Sequence, residues 1–278
     1  MPPEKAVDLR CEYVVNPLGI DNPNPRFSFI PIHTERGQSI TAYQIMVATD
    51  PKLLLEQKPD MWDSGKVNST DPFNITYNGK PLESCKRYYW RVRWWDSKGN
   101  VSPWSDIAYF ETGFLNKSDW HAKWIYGKQL FRKEFEITED IISARAYIAA
   151  LGYYELRING KKVGDRVLDP GWTDYKKRVL YSVYDISDYL RKGKNVVGVI
   201  LSEGRFLKQY GYDGVSKFII QLRIKLSSGK EIEVISDENW LTSQGPIASS
   251  SIYDGEIYDA RLEKDGCNRS KTSTYLKP

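Results

Sequence analysis

Short runs of β-branched and aromatic residues dominate the sequence, and turn-forming residues lie between these runs. In the clearest run, RYYWRVRWWD (87–96), the residues Tyr88, Trp90, Val92 and Trp94 alternate with Tyr and Arg. Alternation with a period of two predicts a strand with one buried face. Further runs of this kind recur along the chain, and no long stretch has a helical period. The sequence therefore predicts an all-β fold.

The outer face of the same strand admits a second interpretation. The residues Tyr89, Arg91, Arg93 and Trp95 could form a stacking surface for nucleic acid or polysaccharide. We favour a structural interpretation, in which the alternate set is core and the arginine stems cover the outer face. The charge balance, with 40 Lys and Arg against 36 Asp and Glu, also argues against nucleic acid as a partner.

The chain is long enough for two domains, because its 278 residues exceed the roughly 100–200 of a typical single domain. Residues 1–114 contain regularly spaced short strands and predict a seven-strand sandwich. Many further strands in residues 120–265 predict a jelly-roll β-sandwich. A polar tail, residues 266–278, follows.

Four local sequence patterns are specific enough to predict a turn or a short helix. Asn159-Gly160 is typical of a two-residue hairpin turn, and a second turn is predicted at 227–229. Residues 51–57 are predicted to form one or two helical turns. Residues 185–195 are predicted to form a short helix that ends at Gly193.

The sequence contains no apolar run near the roughly 20 residues that a membrane span requires. Its N-terminal residues lack the apolar core of a signal peptide. We therefore expect no membrane span. The compartment stays open: cytoplasmic as the sequence stands, and periplasmic or secreted if a signal peptide was removed.

Several motifs resemble known families. The residues 88–93, Trp104-Ser105 and 110–113 resemble the last two strands of a fibronectin type III domain. The resemblance to bacterial α-L-rhamnosidases covers the chain to about residue 265 and is carried by four motifs: DLRCEY (8–13), AALGYYE (149–155), PGWTDY (170–175) and YDGEIYDAR (253–261). It implies a fibronectin type III-like β-sandwich followed by the rhamnosidase N-terminal jelly-roll domain.

The resemblance also implies where catalysis resides. In that family the hydrolytic carboxylates lie on an α/α barrel that follows these β-domains, and this sequence has no series of long amphipathic helices. We therefore expect the chain to be inactive alone, with no catalytic residue. Either the gene is truncated or the chain is a fragment. A separately encoded catalytic domain is one candidate partner.

Loop residues of the second domain are the candidate carbohydrate site, because polar and aromatic residues concentrate there. Sugars need an aromatic face and hydrogen-bonding groups. The candidates are Trp172, Asp174, Tyr210, Asp213, Asp254, Glu256 and Tyr258. We expect the loops 172–174, 210–213 and 254–256 to converge into a shallow, acidic, partly aromatic edge that binds rhamnose-containing glycans. Arg205 departs from the family, which commonly has Trp after the glycine at that point, and this places sugar binding in question.

Calcium is a candidate cofactor of the same loops. The ion takes six to eight oxygens from carboxylates, carbonyls and water, and Asp165, Asp174 and Asp254 are candidate ligands. In a related rhamnosidase module, calcium mediates rhamnose binding. The alternative is that these acids cap turns and pair with Arg178 and Arg261.

Three functions remain open from the sequence. The favoured one is a non-catalytic, carbohydrate-binding portion of an α-L-rhamnosidase-like glycoside hydrolase. The second is glycosidase activity, for which Asp254 and Glu256 are candidates because residues i and i+2 of a strand share a face and hydrolysis needs two carboxyl groups. The third is a structural protein-interaction remnant.

Overall fold

A computed structural model describes residues 2–263, and the predicted tail at 266–278 lies outside this range. The chain divides into two compact units, residues 1–119 and 120–278. Both are built almost entirely from antiparallel strands, which confirms the all-β prediction. Within residues 2–263, no helix has the length and apolar character needed to cross a membrane.

The first unit has eight strands and one short helix. In chain order they are β1 (Glu4–Cys11), β2 (Arg26–Ile32), β3 (Ala42–Ala48), α1 (Pro51–Leu55), β4 (Trp62–Asp63), β5 (Val67–Asn68), β6 (Ile75–Thr76), β7 (Arg87–Trp95) and β8 (Ala108–Glu111). One sheet has the order β1-β2-β6. The other has the order β4-β3-β7-β8, with β5 also pairing β3. The predicted helical turn at 51–57 is therefore present as α1.

Strand β7 confirms the structural interpretation of its alternating pattern. Tyr88, Trp90 and Val92 are fully buried between the two sheets. On the opposite face the guanidinium of Arg91 stacks over the Trp104 ring at 4.5 Å. These aromatic and arginine residues are therefore part of the packing of the domain.

The second unit is a sandwich of two sheets with an added hairpin. Its strands are β9 (Leu130–Ile137), β10 (Ile141–Leu151), β11 (Tyr153–Ile158), β12 (Lys161–Lys162), β13 (Tyr181–Asp185), β14 (Gly193–Ser202), β15 (Lys217–Leu226), β16 (Glu231–Ile235), β17 (Leu241–Ser243), β18 (Ile247–Ser251) and β19 (Gly255–Tyr258). The sheets have the orders β13-β10-β15-β16 and β12-β11-β14-β9-β17, and β18 pairs only β19. Apolar side chains from both sheets form one core, as a sandwich requires.

Two turn predictions hold and one helix prediction is wrong. Asn159 and Gly160, both with positive φ, join β11 to β12, and the turn at 227–229 joins β15 to β16. The predicted helix at 185–195 is only a single 3₁₀ turn, Ser187–Tyr189, and Gly193 opens β14 instead of ending a helix. The reason is tertiary: Gly193 pairs with Ile137 of the neighbouring strand, which outweighs a weak local helix preference.

Candidate functional site

Strand register places several chain crossings at one end of the second sandwich. Leu151 pairs with Lys217 in one sheet, and Tyr153 pairs with Ser202 in the other. The chain therefore passes from sheet to sheet both at Gly152 and through the loop 203–216. The loop 163–180 enters β13 at the same end, because Tyr181 pairs with Ala149. We call the loops 172–178 and 203–216 and the β18–β19 hairpin the loop edge.

A small aromatic cluster supports the loop edge from beneath. The rings of Tyr175, Phe206 and Tyr212 are buried against one another, with centroids 5.1–5.9 Å apart. The Tyr212 hydroxyl also accepts a hydrogen bond from the Tyr175 backbone amide at 3.3 Å. These contacts fasten the loop of Trp172 to the loop of Tyr210 and so define the relative positions of two predicted site loops.

Arg205 lies at the centre of the exposed surface of the edge. Its guanidinium lies 5.0 Å from the centroid of the Trp172 ring and is hydrogen-bonded to the hydroxyls of Tyr153 and Tyr253. Among residues 2–263, no carboxylate lies within ion-pair distance of it. Trp172 remains 53% exposed, but the cation occupies part of the stacking surface that a sugar would use. The edge is therefore mixed in charge and not acidic as predicted.

Tyr253 connects the hairpin to this surface. Its pKa is lowered by the hydrogen bond from Tyr210 and by the adjacent guanidinium of Arg205, because both favour the charged phenolate. The pKa of Tyr210 is raised by burial and by its bond to Tyr253. Neither Tyr253 nor Tyr153 was among the predicted site residues, although both lie in motifs that carry the family resemblance.

The remaining predicted residues have separate local roles. Asp174 caps a turn by accepting from the Lys176 amide at 3.1 Å and lies 3.7 Å from the Lys177 ammonium. The Tyr258 hydroxyl donates to Glu263 at 2.6 Å, away from Tyr210. Over the described part of the chain, three of the acids make no side-chain hydrogen bond or ion pair, namely Asp165, Asp213 and Glu256.

The three predicted calcium ligands lie in different local environments. In residues 2–263 there is no group of three or more His, Cys, Asp or Glu that could hold a metal ion. Asp174 is engaged by lysine, Asp165 is in an exposed turn and Asp254 is at the exposed tip of the hairpin. A calcium ion takes six to eight oxygens, and carbonyls and water supply part of them, so a calcium site at these loops stays a prediction.

A cleft of about 380 Å³ lies within the loop edge, between the end of β14 and the free edge of β18. Gln129 fastens the start of β18 beside the cleft. The side-chain amide of Gln129 donates to the Ile247 carbonyl at 3.0 Å, and the side-chain oxygen of Gln129 accepts from the Ile247 amide at 3.2 Å. Tyr253 binds the hairpin to Arg205 and Tyr210 farther along. The polar lining residues are Lys128, Gln129, Ser202, Glu203, Ser216, Gln244, Ser249 and Ser250.

Comparison with known proteins gives the same assignment for both units. The family profile for the Rha78A-like, N-terminal immunoglobulin domain matches residues 6–116. The profile for the alpha-L-rhamnosidase N-terminal domain matches residues 139–276.

Individual relatives extend this result. An alpha-L-rhamnosidase of Formosa agariphila is 41% identical over 274 residues, covering 89% of this chain and 29% of the relative. The structure of alpha-L-rhamnosidase from Dictyoglumus thermophilum matches with a TM-score of 0.95 at 46% identity, over 98% of this chain and 34% of that one. The Aspergillus terreus enzyme matches at a TM-score of 0.84 and 32% identity, over 98% of this chain and 33% of the enzyme. The chain thus spans about a third of these relatives, and its two units match the family models of two rhamnosidase N-terminal domains.

Proposed function

We propose that these two domains are a non-catalytic accessory portion of an α-L-rhamnosidase-type glycoside hydrolase, and that the second domain contacts rhamnose-containing glycans at its loop edge. The observation that carries the proposal is the match of almost the whole chain to about a third of each of three rhamnosidases. The loop edge supports it further, because exposed aromatic and polar side chains adjoin a cleft of ligand size.

The alternative, hydrolysis by these residues themselves, has weaker support. Asp254 lies in the turn before β19, and Glu256 lies on β19 opposite Ser250. Both carboxylates are exposed. Glycosidases place two carboxyl groups on either side of the scissile bond and hold one of them in an environment that keeps it protonated. An exposed hairpin tip does not supply such an environment.

The first experiment measures turnover of an aryl α-L-rhamnoside by the purified 278-residue chain. We expect a rate indistinguishable from buffer, and the same from Glu256→Gln. Turnover by the wild-type chain that Glu256→Gln abolishes would refute the accessory role and support the glycosidase alternative.

The second experiment is titration calorimetry with L-rhamnose, in calcium and in chelator. Sugar hydroxyls exchange water for protein hydrogen bonds, so each adds only about 0.5–1.5 kcal/mol net. A dissociation constant from the high micromolar to the millimolar range is expected, roughly −4 to −6 kcal/mol. The comparison of the two conditions tests the predicted calcium ligands Asp165, Asp174 and Asp254. Absence of binding in both would refute the carbohydrate-binding role and leave the structural alternative.

A further inference from the structure

The cleft beside β18 differs from the aromatic surface of the loop edge in one respect: within residues 2–263, a hydroxyl of one lining residue is buried without a hydrogen-bond partner. Arg205 covers part of Trp172, and Tyr210 is bonded to Tyr253. By contrast, the buried hydroxyl of Ser216 has no hydrogen-bond partner in the described part of the chain. Buried polar groups are normally satisfied, and this hydroxyl of a residue that lines the cleft is an exception.

The lining of the cleft defines the chemistry of that ligand. None of the lining residues is aromatic. Serine hydroxyls from both walls can donate and accept, Glu203 can accept, and Lys128 can donate. Leu201, Val215 and Ala248 interrupt these polar groups with apolar surface. Hydroxyl partners beside apolar patches suit a ligand that carries several hydroxyls and also exposed C–H or methyl groups.

The volume and the charge of the cleft narrow the class of ligand further. About 380 Å³ is at the lower end of the range for small-molecule sites, roughly 300–1,000 Å³. One lysine and one glutamate contribute charges that cancel. The cleft therefore has no net preference for an anionic or cationic ligand, and its volume suits a small one.

We infer that the cleft between β14 and β18 holds one deoxy-sugar unit of the glycan, and that Trp172 and the tyrosines of the loop edge only flank it. This inference rests on the proposed function, because it specifies which part of the loop edge binds the sugar. The hairpin forms one wall, so its attachments at Gln129 and Arg205 maintain the cleft.

The test compares L-rhamnose dissociation constants, by calorimetry, for variants of the full chain. Ala248→Trp fills the cleft from an exposed position, and Val167→Trp is the matched control, since Val167 is 75% exposed on the loop 163–180. We expect Ala248→Trp to weaken binding at least about tenfold, which equals the loss of one or two sugar hydrogen bonds. Val167→Trp should change it less than about threefold.

A milder variant keeps the test decisive if Ala248→Trp fails to fold. Ser216→Ala removes only the unpartnered hydroxyl, and we expect binding to weaken about threefold with an unchanged unfolding midpoint. Loss of binding in Trp172→Ala, with wild-type affinity in Ala248→Trp and Ser216→Ala, would overturn the inference and leave the proposed function intact. No binding by the wild-type chain would overturn both.

Discussion

Replacing Tyr184 by Phe should loosen the loop that carries Trp172. The carboxylate of Asp169 accepts hydrogen bonds from the hydroxyls of Tyr154 and Tyr184, each at 2.5 Å, and both rings are more than nine-tenths buried. The Tyr154 amide also donates to the Asp169 carbonyl. Asp169 lies three residues before Trp172, so this cluster anchors that loop to β11 and β13.

The magnitude follows from the character of these bonds. A hydrogen bond to a charged group contributes about 1.5–3 kcal/mol. Tyr184→Phe leaves Asp169 with one tyrosine partner, so the free energy of unfolding should fall by about 1.5–2 kcal/mol. The double variant Tyr154→Phe/Tyr184→Phe leaves the carboxylate without either hydroxyl. It should therefore lose more than the sum of the single variants, which a double-mutant cycle detects.

The assay is urea unfolding of the full chain, with amide hydrogen exchange of β10 identifying the transition of the second domain. Tyr126→Phe is the control, because Tyr126 is 60% exposed, and its effect should stay within about 0.5 kcal/mol. A Tyr184→Phe variant with unchanged stability, or strictly additive single and double variants, would refute the role assigned to the cluster.

Three further outcomes are expected. Burial raises the pKa of Tyr184 from about 10 to about 12. The stabilising contribution of Tyr184 is therefore complete below pH 10 and is lost as the pH rises toward 12. Between these pH values, urea titrations should show a smaller loss of unfolding free energy in Tyr184→Phe than in the wild-type chain. Gly204→Ala should destabilise the second domain by about 1–3 kcal/mol in thermal unfolding, because φ is +52° and the new Cβ would lie 2.8 Å from the Tyr153 ring. Phe218→Ala, which empties a fully buried core position, should cost about 3–5 kcal/mol in the same measurement.

Much of the fold could be predicted because strands and turns follow the local pattern of apolar, polar and turn-forming residues. The alternation in β7 correctly indicated which residues are buried, and Asn159-Gly160 correctly located a hairpin. The helix predicted at 185–195 failed because pairing of Gly193 with Ile137 is a non-local contact that no local signal reports.

Sequence reasoning predicted less of the candidate site than of the fold. Trp172 and Tyr210 were predicted to share an edge. The structure joins their loops through the buried aromatic cluster beneath them and also through Arg205 and Tyr253. Arg205 was recognised only as a departure from the family. The cleft and the hydroxyl of Ser216 depend on the position of a hairpin that pairs with neither main sheet, and strand periodicity carries no information about such a position.

The most direct test of the account is a titration of L-rhamnose into the isotope-labelled 278-residue chain, followed by amide chemical shifts. We predict saturable shifts in residues 201–216 and 247–250, with residues 4–111 of the first domain unaffected. The midpoint should lie between the high micromolar and the millimolar range, roughly −4 to −6 kcal/mol. Shifts confined to the first domain, or no shifts up to about 50 mM sugar, a concentration well above that range, would contradict the account.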